Sequence, residues 1–279
     1  MNNILNIKRF GLVLRKDLME NGKRYVLLFL TMLGIIAVFN IWLSFENYDS
    51  SLTDLSHNNL NSKLLTASSL MFVGFGLLFS STAMNPMNSK IKRITYLSYP
   101  ASNLEKYLTR WIIITLGFII SFFIALFVAE TLRVGICSAY YSELDINFID
   151  ITKLVGPGPN YASEKEPFTI GICFYFLSQS LFVLGSTFWE KGTFVKTFTA
   201  VSFINVFYFL VCYWAILIFY GNIEIFVNAL SSFNSFNDEN DINGDQAITI
   251  VASVISIIAV INWTLAYFRF RESEIIKRL

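Results

Sequence analysis

Apolar residues in this chain gather into six long runs, Tyr25–Phe45, Leu64–Ala83, Trp111–Leu132, Phe168–Phe188, Phe198–Tyr220 and Ala247–Phe268, with polar segments between them. Each run is close to the ~20 residues with which a helix crosses a bilayer. Only one formal charge, Glu130, lies inside any of them. A soluble core helix keeps a polar stripe, whereas the run from Trp111 to Leu132 is apolar around its whole circumference. The pattern predicts an all-α polytopic membrane protein with six transmembrane helices, spanning residues 25–268.

The polar segments are sorted by charge. Segments 1–24, 84–110, 189–197 and 269–279 hold seventeen of the twenty-one Lys and Arg residues, while segments 46–63, 133–167 and 221–246 hold one, three and none. Basic loops stay on the cytoplasmic side, so both termini, including a basic tail over 269–279, are expected there, in the cytoplasmic (inner) membrane. A net charge of +1 conceals this sorting, and 54% apolar against 15% charged residues is far from the balance of a soluble domain. The first run is too long for a secretory signal and leads into Glu46-Asn47-Tyr48-Asp49 rather than a cleavage site. Cys137, Cys173 and Cys212 are scattered, and form neither a disulfide framework nor a metal-ligand spacing.

Two basic-side segments carry more specific patterns. In residues 1–24, Ile4, Ile7, Gly11, Leu14 and Leu18 share one arc of a helical wheel, with Phe10 at its edge and Lys8, Arg9, Arg15 and Lys16 off it. That arrangement predicts an interfacial amphipathic helix; a basic tail serving charge sorting alone is the plainer alternative. Between the second and third runs stand a basic cluster, Lys90, Lys92 and Arg93, and then Tyr99-Pro100-Ala101-Ser102-Asn103-Leu104-Glu105-Lys106-Tyr107-Leu108. Ser102 and Glu105 have capping-box spacing, so a helix should begin there. Leu104, Tyr107, Leu108 and Trp111 then repeat at i, i+3, i+4 and i+7, giving a short amphipathic helix that runs into span three. With Lys106 and Arg110 elsewhere on its surface, it has the shape of a docking element for a soluble partner.

Six spans, an amphipathic N-terminal helix and the element Pro100-x-Ser102-x-x-Glu105-Lys106 together resemble the permease subunit of a type-2 ABC exporter, in the branch with a Pro-Ala-Ser-x-x-Glu-Lys sequence between spans two and three. The chain departs from many members in carrying Asn103 after the motif serine and Arg110 after Thr109. The resemblance implies that Pro100, Ser102, Leu104, Glu105, Lys106, Tyr107 and Arg110 form a coupling helix seated on an ATP-binding subunit. It also implies a second permease copy or paralogue, and export of an amphipathic, lipid-like or peptide substrate. No G-x-x-x-x-G-K-[ST] loop occurs here, so ATP and Mg are expected on the separate subunit, with no cofactor and no catalysis in this chain.

Polar side chains within the runs are few. Gln179, Asn205 and Asn262 are candidates for lining a pathway, although interhelical hydrogen bonding is the simpler role for each. Glu130 precedes Arg133 by three residues, the spacing of an intrahelical ion pair. No run carries a chain of ionisable groups of the kind an ion-driven transporter uses. Outside the membrane, Gly156-Pro157-Gly158-Pro159 marks a turn and Ile223–Leu230 a short re-entrant helix. The acidic stretch Glu239–Asp245 has calcium-loop offsets but Ile250 at the twelfth position, so it is expected to be a solvated turn. A membrane enzyme is disfavoured by a single histidine, His57, placed in an outer loop, and Gly185-Ser186 reads as helix packing. Nucleic-acid binding has no support, because the basic residues are accounted for by membrane topology. A sensory or structural membrane protein with a permease-like layout is the remaining alternative.

Overall fold

The computed structural model describes residues 5–50, 55–87, 89–141, 146–149, 165–189, 191–220 and 244–276. Among these the secondary structure is helical throughout, with no strand. In chain order the elements are α1 (Ile7–Ser50), α2 (Leu55–Ser81), a 3-10 turn (Asn85–Met87), α3 (Lys90–Leu97), α4 (Asn103–Ile112), a π-helical turn (Ile113–Gly117), α5 (Phe118–Tyr140), α6 (Lys165–Phe188), α7 (Thr193–Tyr220) and α8 (Gly244–Ile276). Six helical stretches are long and apolar enough to cross a membrane, and each overlaps one of the six apolar runs. The second run alone outlasts its helix, by the turn residues Thr82 and Ala83. Ile4, the Gly-Pro turn, Ile223–Leu230 and Glu239–Asn243 lie outside the described residues.

In α1 the structure differs from the sequence expectation. The chain does not form a separate interfacial helix before Tyr25; α1 is one helix of 44 residues. At 1.5 Å per residue it is about 66 Å long, roughly twice the ~30 Å of a hydrocarbon core, so residues before Tyr25 prolong the first span as an arm. Gly11 and Gly22 are the glycines there, and a single glycine costs a helix about 1 kcal/mol without ending it.

Packing in the span region uses small residues and aromatic rings. α1 lies against α5, and α6 against α8, with α2 touching both α1 and α6. Met32, Ile36 and Ala37 of α1 meet Phe118, Phe122, Ala125 and Ala129 of α5, with Tyr175 of α6 completing the cluster. The alanines let the helix backbones approach, which is how helices associate where no hydrophobic driving force separates protein from lipid. Gly76 serves the same purpose: a Cβ there would stand 2.5 Å from the Tyr175 hydroxyl. Gly185 faces Thr197 across the α6–α7 junction so closely that a Cβ would overlap the threonine, which gives Gly185-Ser186 the packing role its sequence indicated. Gly192, at φ +64, makes the turn into α7.

At one end of the bundle Glu130 and Arg133 form a buried ion pair, with Arg133 Nη2 at 2.6 Å from Glu130 Oε1. Glu130 also accepts from Ile149 N at 2.9 Å, and Arg133 donates to the Asn147 carbonyl at 2.9 Å. The i,i+3 pair anticipated from sequence therefore also fastens the segment that follows α5. The opposite end gathers the start of α1, α3, α4 and the end of α8.

Candidate functional site

Ser89 starts α3, its hydroxyl accepting from Lys92 N at 3.4 Å. After α3 the chain turns through Ser98–Ala101 and starts again at Ser102, whose hydroxyl accepts from Glu105 N at 3.2 Å while Glu105 accepts from Ser102 N at 3.0 Å. This is the capping box read from the S-x-x-E spacing. α4 then continues through the π-helical turn into α5 without a break. Segment 84–110 thus holds two short helices at a corner, the second of which runs on into span three.

The remaining carboxylate capacity of Glu105 reaches α1. Arg9 Nε donates to Oε2 at 2.7 Å and Arg9 Nη2 to Oε1 at 2.8 Å, a bidentate pair, and Asn6 N adds a bond to Oε1 at 2.8 Å. Glu105 lies six residues before the apolar run that starts at Trp111. The Arg9 hydrogen bonds, helped by the Asn6 and Ser102 backbone donors, outweigh burial and hold its carboxyl at about 2, well below the usual carboxylate range.

About two turns further along α1, and between one and two along α4, stands a second ion pair. Arg110 Nη2 is 2.6 Å from Asp17 Oδ1, with both side chains buried. Tyr25 bridges them, donating to Asp17 at 3.0 Å and accepting from Arg110 at 3.1 Å, and Asn21 donates to Asp17 at 3.0 Å. Lys16 lies 3.2 Å over the Tyr99 ring, and Tyr99 donates to Glu20 at 3.0 Å. The arm of α1 is thereby fixed to the corner along one face.

Lys106 and Tyr107 bind the corner from its other sides. Lys106 Nζ donates to the Leu97 carbonyl at 2.8 Å, and Tyr96 donates to the Lys106 carbonyl at 2.9 Å, which locks α3 to α4. Tyr107 donates to the Trp263 carbonyl of α8 at 2.8 Å and packs edge-on against Tyr267. Trp111 and Trp263 meet at 5.2 Å between ring centroids. Leu104, Tyr107, Leu108 and Trp111 share an open apolar groove of about 260 Å³ with Val260, Trp263, Thr264 and Tyr267.

These contacts revise the expected docking element. Glu105, Lys106, Tyr107 and Arg110 are all buried, and the apolar face of α4 is turned to α8 rather than presented at the end of the protein. Only Pro100 of that set is exposed, with Ser102 and Leu104 half-buried. The outward surface belongs to α3, where Ile91 is 79% and Ile94 58% exposed. On the arm, Ile7, Lys8, Arg15, Lys16 and Leu18 are exposed, and Arg9 and Leu14 are half-buried. Arg9 and Lys16 engage the corner, and so do Asp17, Asn21 and Tyr25, whose contacts sequence reasoning passed over. The i, i+4, i+8 spacing of those three on one polar stripe was the available signal.

The polar residues within the spans divide. Gln179 is fully buried and donates to Thr115 Oγ1 in the π-helical turn at 2.9 Å, while Asn262 donates to Ser180 Oγ at 3.1 Å. Both are interhelical hydrogen bonds. Asn205 differs, being exposed on α7 among exposed Phe203, Ile204, Val206 and Phe207. Asn40 of α1, not singled out by sequence, is fully buried with both amide atoms unpartnered among the described residues. No protein-family model, curated protein or solved structure matches the chain.

Proposed function

We propose that this chain is the membrane-spanning permease subunit of an ATP-driven ABC transporter of the type-2 exporter class, working with a separate ATP-binding subunit and a second permease copy. The observation that carries the reading is the corner between spans two and three. It has one short helix with an exposed apolar pair and another that is continuous with span three. Ion pairs join that second helix to α1, and Tyr107 joins it to α8. A displacement of α3 would therefore be transmitted to three spans as one rigid body, which is what coupling to a closing ATPase pair requires. In this reading α3 seats on the ATP-binding subunit, which holds ATP and Mg, and the buried residues Glu105, Lys106, Tyr107 and Arg110 transmit rather than dock.

The sorted charges put this corner and both termini on the cytoplasmic side of the inner membrane. Asn205 supports the second copy. An amide facing hydrocarbon lacks hydrogen-bond partners, and a partner helix against α7 would supply them. The transported substrate is amphipathic, lipid-like or peptide, and the movement is export.

Co-expression with ATP-binding subunits of ABC transporters from the same genome tests the proposal. The natural chain should co-purify with one such subunit and support ATP hydrolysis, and an Ile94→Glu variant that still inserts should lose the association. Failure of the natural chain to hold any ATP-binding subunit would favour a sensory or structural membrane protein.

A further inference from the structure

The corner covers one side of the arm that α1 forms before Tyr25, and the other side is open. Lys8, Leu12, Arg15, Met19 and Lys23 succeed one another at steps of four, three, four and four residues, so they form a single stripe along the helix. All five are exposed, Leu12 at 66% and Met19 at 70%. At about 3.6 residues per turn the stripe lies roughly 160° around α1 from Asp17, the residue buried against Arg110. Cations and apolar side chains alternate along it. Among the described residues no carboxylate pairs with Lys8, Arg15 or Lys23. The carboxylates of the arm itself are engaged elsewhere, Asp17 by Arg110 and Glu20 by Lys16 and Tyr99.

Distance from the bilayer decides what can cover the stripe. Because α1 is one unbroken helix, residues before Tyr25 continue the direction of the first span. Leu12 precedes Tyr25 by 13 residues, which is about 20 Å along the axis. Even at a span tilt of about 40° it stands about 15 Å beyond the hydrocarbon. The headgroup layer is only about 5–8 Å thick, so Lys8 and Leu12 lie in water, out of reach of lipid. A second copy of the arm would set cation against cation, which opposes pairing. A helix of opposite charge satisfies both components of the stripe, with apolar side chains on Leu12 and Met19 and carboxylates on Lys8, Arg15 and Lys23. We propose that the outer face of the α1 arm binds an acidic amphipathic helix of a soluble protein. This inference does not depend on the transporter reading. The face is also distinct from α3, which shares a cleft with Glu20 and Arg24 on another side of the arm.

The full chain in phosphatidylcholine nanodiscs tests it, with a fluorescent heptad peptide as probe that carries leucine at a and d and glutamate at e and g. Anisotropy, corrected for binding to empty discs, should show that this peptide binds at least about tenfold more tightly than its counterpart with lysine in place of glutamate. Arg15→Glu and Leu12→Glu should each weaken the glutamate peptide by about tenfold, the first by setting like charges together and the second by removing the apolar contact as well. Both side chains are exposed, so the melting temperature of each variant should not move. Equal affinity for the two peptides, or an affinity untouched by either substitution, would overturn the proposal. A spin label on Leu12→Cys, in a chain lacking Cys137, Cys173 and Cys212, should collide more readily with a water-soluble nickel chelate than with oxygen. The reverse would lay this face on the leaflet and overturn the proposal in favour of a lipid surface.

Discussion

The Glu105 carboxylate closes the start of its own helix and holds Arg9 at 2.7 Å, 96 residues away in sequence. One side chain therefore ends a loop and joins the first helix to the third span. The arrangement separates two contributions that substitution can resolve. Ser102→Ala removes only the cap and should cost about 1 kcal/mol of stability. Glu105→Ala removes cap and clamp together and should lower the melting temperature further, while Arg9→Ala, at a half-exposed site, should lower it less. A double-mutant cycle on Arg9 and Glu105, read by thermal melting in detergent, should show positive coupling; additive effects would mean that the two helices are held by other contacts.

The same carboxylate predicts a pH dependence with a definite sign. A carboxyl held at about 2 in the folded protein, against about 4.3 in an unfolded chain, favours folding fully above the unfolded value. That contribution is lost as pH falls from the unfolded value through the folded one. The difference in melting temperature between the natural chain and Glu105→Gln should thus be constant from about pH 8 to pH 5 and shrink below about pH 4. A difference that changes between pH 8 and pH 5 would assign it to another group.

Asp17 and Arg110 make a stricter test of the α1 contact, because both are buried. Removing one partner leaves the other charge stranded, so Asp17→Ala should destabilise by about 3–5 kcal/mol, measured by denaturation in mixed micelles. Replacing both, as Asp17→Leu with Arg110→Met, should recover much of that loss. If the single change is neutral, the arm is not seated on the corner in the membrane.

Close packing of α2 on α6 predicts unequal glycines. Gly76→Ala would drive a methyl group into the Tyr175 ring and should cost about 1–3 kcal/mol. Gly74→Ala, two residues earlier with open space around it, should be neutral or stabilising. Equal melting temperatures for the two variants would contradict this packing.

If the proposed second copy packs on α7, Asn205 should lie at the contact. In a chain lacking Cys137, Cys173 and Cys212, Asn205→Cys should form a disulfide-linked dimer on mild oxidation in the bilayer. A chain that purifies as a dimer yet never cross-links there would move the interface away from α7.

The spans, the helix start at Ser102 and the Glu130–Arg133 pair were all legible in the sequence, because each depends on spacing within one local segment. Hydropathy was also what misled the reading of α1. A boundary drawn at Tyr25 marks a change of solvent, and helix backbone continues across it because Asn21-Gly22-Lys23-Arg24 contains nothing to stop it. The inward orientation of Glu105, Lys106, Tyr107 and Arg110 was hidden for another reason. Charged residues off an apolar arc read as solvent-facing, and only the fold brings Arg9, Asp17 and the Leu97 carbonyl to meet them. α3 was passed over because its Lys90, Lys92 and Arg93 read as a charge cluster, although Ile91 and Ile94 were already at helical spacing. The π-helical turn at Ile113–Gly117, within which Thr115 accepts from Gln179, left no sequence signal.

If the corner carries the contact with an ATP-binding subunit, as proposed, a probe on α3 should cross-link to that subunit. Ile94→Cys in the cysteine-free chain, carrying a photoreactive maleimide, would be activated in inner-membrane vesicles that also contain that ATP-binding subunit. One main adduct is expected, to that subunit, with a yield that changes on adding ATP. Adducts to lipid alone, or none to the subunit in vesicles where it is membrane-bound, would contradict the proposal.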